Sequence, residues 1–124
     1  MTYSIMYLEV EKVSKIDVES LKVELRRGTQ ILIVLSQLDA KEYGYSLLEK
    51  LDKKNLGIEA GTLYPLMRRL ESQGLLESEW DTTLSRPRKY YVVSEEGKAV
   101  LNELLEEWKK INKEIEGIVG EING

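Results

Sequence analysis

A heptad repeat near the carboxyl end is the feature that most constrains how this chain can fold. Ser94 supplies an N-cap, and Glu95 and Glu96 occupy a first turn where the helix dipole favours negative charge. Apolar residues then recur at alternating intervals of three and four, the a/d pattern of a helix that packs along a seam: Leu101, Leu104, Trp108, Ile111, Ile115, Ile118 and Ile122. The pattern predicts a long helix within residues 95–124.

Two surfaces could cover this seam, namely the core of the same chain or a second copy of it. A small domain is too short to shield a seam that continues to Ile122, which favours a homodimer. The predicted dimer interface consists of Leu101, Leu104, Trp108, Ile111, Ile115 and Ile118. We expect Trp108 to be a packing residue; the alternative is that its indole lines a slot for a flat aromatic effector at the two-fold axis.

Length and composition narrow the class of protein. The 124 residues suffice for one compact domain. Cysteine and histidine are both absent, which removes disulfides, cysteine nucleophiles, histidine-based triads and the common zinc sites. No pattern places two of the carboxylates in an apolar pocket. We therefore expect a protein that is not an enzyme and uses no cofactor or metal.

The amino-terminal region and the apolar runs bear on where the protein acts. The longest apolar run, Ile31–Leu35, is far shorter than the ~20 residues needed to cross a bilayer. Residues 1–13 lack the basic, apolar and small-residue regions of a signal peptide, and residues 1–16 show no clear period. We expect a cytoplasmic protein without membrane contact and treat residues 1–16 as an N-terminal arm.

Helical periodicity begins at Asp17. Gly28 interrupts the first pattern, which predicts two helices or one bent helix. After a polar break at residues 39–43, residues 43–54 have the period of a short amphipathic helix. Asn55 and Gly57, both suited to a left-handed backbone, follow that helix.

A third helix is predicted to begin at residues 60–62, with the clearest apolar face of the chain: Leu63, Leu66, Met67 and Leu70. Pro65 lacks an N–H and is expected in a distorted first turn. Four residues are expected to turn outward: Thr62, Tyr64, Arg68 and Arg69. Donors on the free side of a helix can read base edges and bind phosphates in the major groove. The alternative is that they form a solvated face.

A β-hairpin with a basic tip is predicted next, from the runs at 75–80 and 89–93 around the polar segment 81–88. Arg86, Arg88 and Lys89 cluster near the tip, and residues 60–94 hold 5 basic and 4 acidic side chains although the whole chain has a net charge of −4. Charge at a strand edge can simply prevent aggregation. After a candidate recognition helix, it favours a wing against the DNA backbone or minor groove.

Several sequence strings resemble the PadR family of winged-helix transcription regulators: YGYSLLEKL at 43–51, GTLYP at 61–65, GLLESEW at 74–80, RKYY at 88–91 and SEEG at 94–97. The resemblance spans about residues 25–115. It implies a homodimer that binds an inverted-repeat operator, generally as a repressor relieved by a small effector. It also implies that Thr62, Tyr64 and Arg68 lie in the recognition helix, and that Arg86, Arg88 and Lys89 lie in the wing.

The resemblance also bears on Trp108, which falls where some multidrug-responsive members hold planar aromatic compounds. The chain departs from the family pattern at Tyr43, where many members have His, and at Glu59, where many have a Ser cap. Its N-terminal arm is longer than usual.

The sequence thus predicts a mainly α fold with a small β-hairpin wing, in three parts: the arm at 1–16, a winged helix-turn-helix DNA-binding domain at 17–94, and a C-terminal dimerisation helix at 95–124. The predicted function is that of a homodimeric regulator of the PadR type which binds double-stranded DNA. The alternative is a dimeric winged-helix adaptor that binds a protein and no specific DNA.

Overall fold

The computed structural model describes the backbone of residues 16–123 and the side chains of residues 16–121. The helices in that range are α1 (Val18–Arg27), α2 (Gln30–Gln37), α3 (Gly44–Lys53), α4 (Ala60–Ser72) and α5 (Glu95–Asn123). The strands are β1 (Glu42–Tyr43), β2 (Leu76–Asp81) and β3 (Arg88–Val93). This confirms the predicted class, mainly α with a small β-hairpin.

The chain divides into two compact units, and the first one ends at Gln30. Its described helix, α1, begins at Val18 and is capped by Asp17. The Asp17 carboxylate accepts hydrogen bonds from the Ser20 amide at 3.2 Å and from the Ser20 hydroxyl at 2.7 Å. All residues of α1 are exposed. Gly28 follows the helix, so the two-helix alternative is correct. Of the predicted N-terminal arm, residues 1–15 lie outside the described range.

The second unit, from Ile31 onward, contains the hydrophobic core. Leu63, Met67 and Leu70 are buried on α4 and Leu66 is half-buried beside them, which confirms the predicted apolar face. The other buried apolar residues come from α2 and the residue that follows it, from α3, from the α3–α4 connection and from the sheet: Val34, Leu35, Leu38, Leu47, Leu51, Ile58, Leu76, Tyr91 and Val93. The core therefore lies between the helices and one face of the sheet.

The α3–α4 connection takes the predicted backbone form. Asn55 and Gly57 have φ angles of 58° and 61°, in the left-handed region that few side chains adopt readily. These two residues turn the chain from α3 into α4.

The sheet has one strand more than the sequence predicted. Its order is β1-β3-β2; the hairpin register runs from Leu76 opposite Val93 to Asp81 opposite Arg88, and Tyr43 in β1 lies opposite Tyr90. The interpretation of residues 39–43 as a polar break was wrong for β1. Two residues are too few to show an alternating pattern, and they form a strand because β3 offers them its second edge.

Pro65 also lies elsewhere than predicted. Because α4 begins at Ala60, Pro65 is the sixth residue of a continuous helix and not part of a distorted first turn. Proline removes the amide that would bond to the carbonyl of Gly61. Gly61 is exposed, so water can bond that carbonyl. The helix start is held by the Glu59 carbonyl, which accepts bonds from Thr62 and Leu63 at 3.0 and 2.9 Å.

The junction between the hairpin and α5 explains the spacing of Ser94 and Gly97. The Ser94 hydroxyl accepts a bond from the Gly97 amide at 2.9 Å and donates to the Gly74 carbonyl at 2.6 Å, which confirms the predicted N-cap. The Ser94 amide donates to the Leu75 carbonyl at 3.0 Å. A Cβ atom on Gly97 would overlap the Leu75 oxygen and come within 2.7 Å of a Val93 methyl group. Glycine is required there because α5 begins against the Leu75 backbone.

We predict that Gly97→Ala destabilises the protein by about 2 kcal/mol or more, because the new methyl group forces backbone apart in a packed junction. Gly117→Ala is the matched control in the same helix, since a Cβ there meets nothing within 4 Å. It should be neutral or stabilising by up to about 1 kcal/mol through helix propensity. Urea unfolding at one fixed protein concentration measures both changes, and equal stability of the two variants would contradict the prediction.

Candidate nucleic-acid interface

The helices α3 and α4 form a helix-turn-helix, joined by residues 54–59. Arg68 and Arg69 are exposed on α4, as is Thr62 near its start. Among the described residues neither arginine takes part in an ion pair. Two guanidinium groups on the second helix of this motif are therefore available for an anionic partner.

Tyr64 is placed differently from its predicted neighbours. It is half-buried and packs against the core, so its side chain does not simply face outward. A Cβ atom built on Gly44, the first residue of α3, would lie 3.1 Å from Cε1 of the Tyr64 ring. The ring thus joins the two helices of the motif, and Gly44 allows that close approach.

Asp81 lies on the outer face of the sheet, which points away from the core, and it anchors the start of the hairpin tip, residues 82–87. The Asp81 carboxylate accepts bonds from the amide and hydroxyl of Thr83, at 3.0 and 2.6 Å, and from the Tyr43 hydroxyl at 2.9 Å. These bonds, those from Thr83 foremost, lower the pKa of Asp81, while the bond to Asp81 raises the pKa of Tyr43. The carboxylate therefore stays ionised and links β1 to the hairpin.

Arg86 and Arg88 are the exposed cations of the hairpin. Arg86 lies in the tip between the two strands. Arg88 begins β3, and its guanidinium carbon lies 5.4 Å from the centre of the Tyr43 ring, within cation–π range. Tyr43 in turn lies against Tyr90, with ring centres 5.0 Å apart. The structure therefore places the Arg88 guanidinium on the face of the sheet that carries Tyr43 and Tyr90.

Lys89 lies on the opposite face of β3, beside α4. Its ammonium is 2.9 Å from Glu71 Oε1 and 5.1 Å from the centre of the Tyr91 ring. Glu71 also accepts a hydrogen bond from Ser78 in β2. The bond from Ser78, then that from Lys89, lowers the pKa of Glu71, and the bond to Glu71 raises the pKa of Lys89. Lys89 is thus an ion-pair partner of the helix and not an unpaired cation of the tip.

The structure also exposes wing residues that sequence reasoning did not select. Trp80 is 60% exposed at the end of β2, and Leu84 is exposed in the tip. On β2 the inward-facing positions run from buried Leu76 through half-buried Ser78 to exposed Trp80. Inward-facing and outward-facing positions keep alternating along β2 beyond the end of the core. Counting every second residue from Leu76 would therefore have identified Trp80 as an exposed residue on the inward-facing side.

The predicted seam of α5 divides into two parts. Leu101 and Leu104 are partly buried and pack against the core of their own chain. The next positions are 42–60% exposed: Trp108, Ile111, Ile115 and Ile118. Val119 is exposed beside them, and the side chain of Ile122 lies outside the described range. The uncovered apolar face therefore starts at Trp108, because the winged domain reaches only as far as Leu104.

Residues 16–123 contain no group of three or more acidic, histidine or cysteine side chains able to hold a metal ion. None of the helices in that range combines the length and apolar character that a bilayer crossing requires.

A helix-turn-helix, a β-hairpin packed beside it and a long helix after the hairpin define a winged-helix protein. Residues 31–103 match the family model described as "Transcriptional regulator PadR-like family". The chain therefore belongs to the PadR-like family of transcriptional regulators, as its sequence motifs indicated.

Relatives from several bacteria agree with this assignment. A crystal structure of a PadR family transcriptional regulator from Eggerthella lenta DSM 2243 is 51% identical, covers 82% of this chain and 91% of that one, and has a TM-score of 0.79. A transcriptional regulator from Clostridium thermocellum is 30% identical over 76% of this chain and 96% of that one, with a TM-score of 0.70. The transcriptional regulator Rv3488 of Mycobacterium tuberculosis is 30% identical over 92 residues, 74% of this chain and 86% of the relative.

We predict that Glu71→Gln lowers the free energy of unfolding by about 1 kcal/mol at neutral pH, since it weakens two half-buried hydrogen bonds. The folded state holds the pKa of Glu71 below its ordinary value of 4.5, so its contribution is present above that pH. It is lost as the pH falls through the lowered pKa. The difference between wild type and variant should therefore shrink in acid.

Urea unfolding at neutral pH, and again at a pH below the lowered pKa of Glu71, measures the stability difference between wild type and Glu71→Gln. Glu77→Gln, which changes an exposed carboxylate in the same strand as Ser78, is the control and should have little effect at either pH. A Glu71→Gln difference that stays constant into acid would contradict the prediction.

Proposed function

We propose that the protein is a homodimeric, sequence-specific DNA-binding regulator that acts as a cytoplasmic repressor on an inverted-repeat operator. The observation that carries the proposal is the set of exposed arginines on two neighbouring elements of the winged domain. Arg68 and Arg69 lie on α4, and Arg86 and Arg88 lie on the hairpin. None of the four takes part in an ion pair within the described residues.

The proposed binding mode places α4 in the major groove and the hairpin against the backbone or minor groove. Arg68 and Arg69 would contact base edges and phosphates, with Thr62 contacting DNA near the start of the helix. Arg86 and Arg88 would contact phosphates from the wing. Tyr64, which packs on Gly44, would serve this mode mainly by fixing α3 against α4. The negative net charge does not oppose it, because phosphates respond to the local field.

The homodimer proposal is supported by the uncovered apolar face of α5. Four large apolar side chains at heptad spacing, 42–60% exposed, favour burial against a matching helix: Trp108, Ile111, Ile115 and Ile118. Pairing of two such helices would bring two winged domains to one operator. Leu101 and Leu104 would contribute from the core side by holding α5 on its own domain.

An aromatic effector is the finer hypothesis attached to Trp108. Its indole is 42% exposed in the single chain and stands at the start of the uncovered face. In a dimer, two such indoles near the axis would present flat apolar walls to a planar ligand. Quenching of tryptophan fluorescence by flat aromatic compounds, compared between wild type and Trp108→Leu, tests this hypothesis.

The alternative function, a dimeric adaptor for a protein partner, is favoured by one observation. Trp80 is 60% exposed on the wing, and tryptophan is enriched at protein interfaces. An adaptor would bind duplex DNA only non-specifically. Protection mapping on the DNA upstream of the gene, at two salt concentrations, separates the two functions. A protected inverted repeat that weakens with salt supports the regulator. No protected site there, and only non-specific binding to selected duplexes, supports the adaptor.

We predict that Arg68→Ala and Arg88→Ala each weaken binding to the protected duplex, by about 10-fold or more for a base-reading arginine. Both side chains are exposed, so the melting temperature should change little. For Arg88→Ala the slope of log affinity against log salt should also fall by about 1. Fluorescence anisotropy at several salt concentrations measures affinity and slope.

Lys113→Ala is the matched control, since it removes an exposed cation from α5, away from the winged domain. It should leave both the affinity and the salt slope unchanged. Wild-type affinity in a variant that combines Arg68→Ala with Arg88→Ala would exclude these two residues as DNA contacts.

We predict that Trp108→Ala raises the dissociation constant of the dimer by about 10-fold or more, as expected for a large aromatic at an interface centre. Ile115→Glu should raise the dissociation constant further, because it places a charge in the apolar seam. Asn102→Glu adds the same charge to an exposed position of α5 and is the control. Sedimentation velocity over a concentration series measures all three, and an unchanged dimer in Ile115→Glu would exclude this face as the interface.

A further inference from the structure

We propose that Glu71 and Lys89 are a positioning pair, which fixes the wing on the recognition helix and keeps Arg68 available, so that Lys89 aids DNA binding without touching phosphate. This inference rests on the proposed DNA-binding function and refines it. It changes the role that the sequence predicted for Lys89 and gives a role to Glu71, which sequence reasoning passed over.

One carboxylate joins three elements at this place. Glu71 is in the last turn of α4, Ser78 is in β2 and Lys89 is in β3. Glu71 Oε1 accepts from the Lys89 ammonium at 2.9 Å, and Oε2 accepts from the Ser78 hydroxyl. The side chains of Lys89 and Glu71 are 28% and 29% exposed, so the pair is far more shielded than the other hairpin pair, Lys41–Glu79, at 55% and 67%.

The direction of the Lys89 side chain argues against a phosphate contact. Side chains alternate along a strand, and Lys89 shares its face of β3 with buried Tyr91 and Val93. Its ammonium lies above the Tyr91 ring and against the Glu71 carboxylate. A phosphate at this ammonium would also approach the negative charge of Glu71. Arg88, one residue earlier, is on the other face. It lies opposite Asp81 in the hairpin, but among the described residues it forms no ion pair.

The pair also bears on Arg68, which is three residues before Glu71 on the same helix. At that spacing an arginine and a glutamate are neighbours and attract each other. Because Lys89 and Ser78 occupy the two carboxylate oxygens, Glu71 is held toward the sheet. Without Lys89, the carboxylate would be free to draw Arg68 away from the base edges, which weakens binding without removing a phosphate contact.

A double-mutant cycle tests the inference, using Glu71→Gln, Lys89→Gln and the double variant on the duplex protected by the wild type. If the two side chains act as one unit, each single variant weakens binding by about 10-fold and the double is no weaker than Lys89→Gln alone. The salt slope should stay at the wild-type value in all three. Arg88→Gln is the control, in which the slope falls by about 1.

Two results together would overturn the inference. The salt slope of Lys89→Gln would fall by about 1, and the fold loss of affinity in the double variant would equal the product of the two single losses. Lys89 would then be an independent phosphate contact.

Amide hydrogen exchange of the DNA-free protein tests the pair without any DNA. Glu71→Gln and Lys89→Gln should each speed exchange of the β2 and β3 amides, whereas Glu77→Gln should not. Unchanged exchange in the first two variants would overturn the inference while leaving the DNA-binding proposal standing. Absence of salt-dependent duplex binding by the wild type, with faster exchange in the variants, would instead reject the DNA-binding proposal and with it the role assigned to Lys89.

Discussion

The close approach of Gly97 to the Leu75 carbonyl is the constraint on which the rest of the second unit depends. Four elements meet there: α4 ends at Ser72, β2 begins at Leu76, β3 ends at Val93 and α5 begins at Glu95. Gly74, with φ of 79°, turns the chain out of α4, and Ser94 donates hydrogen bonds to the carbonyls of Gly74 and Leu75. The same few atoms thus set the directions of α4, the hairpin and α5. A change here moves every surface that we assign to function.

The two faces of the sheet use charge for different purposes. On the outer face, Lys41 and Arg88 lie over the rings of Tyr90 and Tyr43. Exposed pairs such as Lys41–Glu79 add little to stability, since solvent screens them and long side chains lose entropy. Their effect is to limit where flexible side chains lie. On the inner face the Glu71–Lys89 pair is more shielded, and breaking it leaves an unpaired carboxylate in the last turn of α4. These pairs therefore contribute more to the positions of the charged side chains than to the stability of the fold.

Sequence reasoning succeeded where structure follows from neighbours along the chain. The apolar face of α4, the Ser94 cap and the left-handed residues Asn55 and Gly57 depend on local periodicity and backbone conformation. It failed for the strand β1, which exists only through its pairing with the distant strand β3. It also gave no sign of the ion pair that Lys89 forms with Glu71, 18 residues earlier. Composition marked Lys89 as one cation among three, because a charge count cannot show which face of a strand a side chain occupies.

The division of α5 shows how one helix can serve two surfaces. A heptad pattern alone does not tell which of its positions a chain buries against itself, so the seam appeared uniform in the sequence. The fold uses Leu101 and Leu104 to anchor the helix and leaves the apolar positions from Trp108 onward uncovered. Because α5 is one continuous helix of 29 residues, about 43 Å long, a contact made on its far part is rigidly linked to the Gly97 junction. Any partner of that exposed face would therefore fix the direction of α4 as well, which couples the proposed dimer geometry to the proposed spacing of its half-sites.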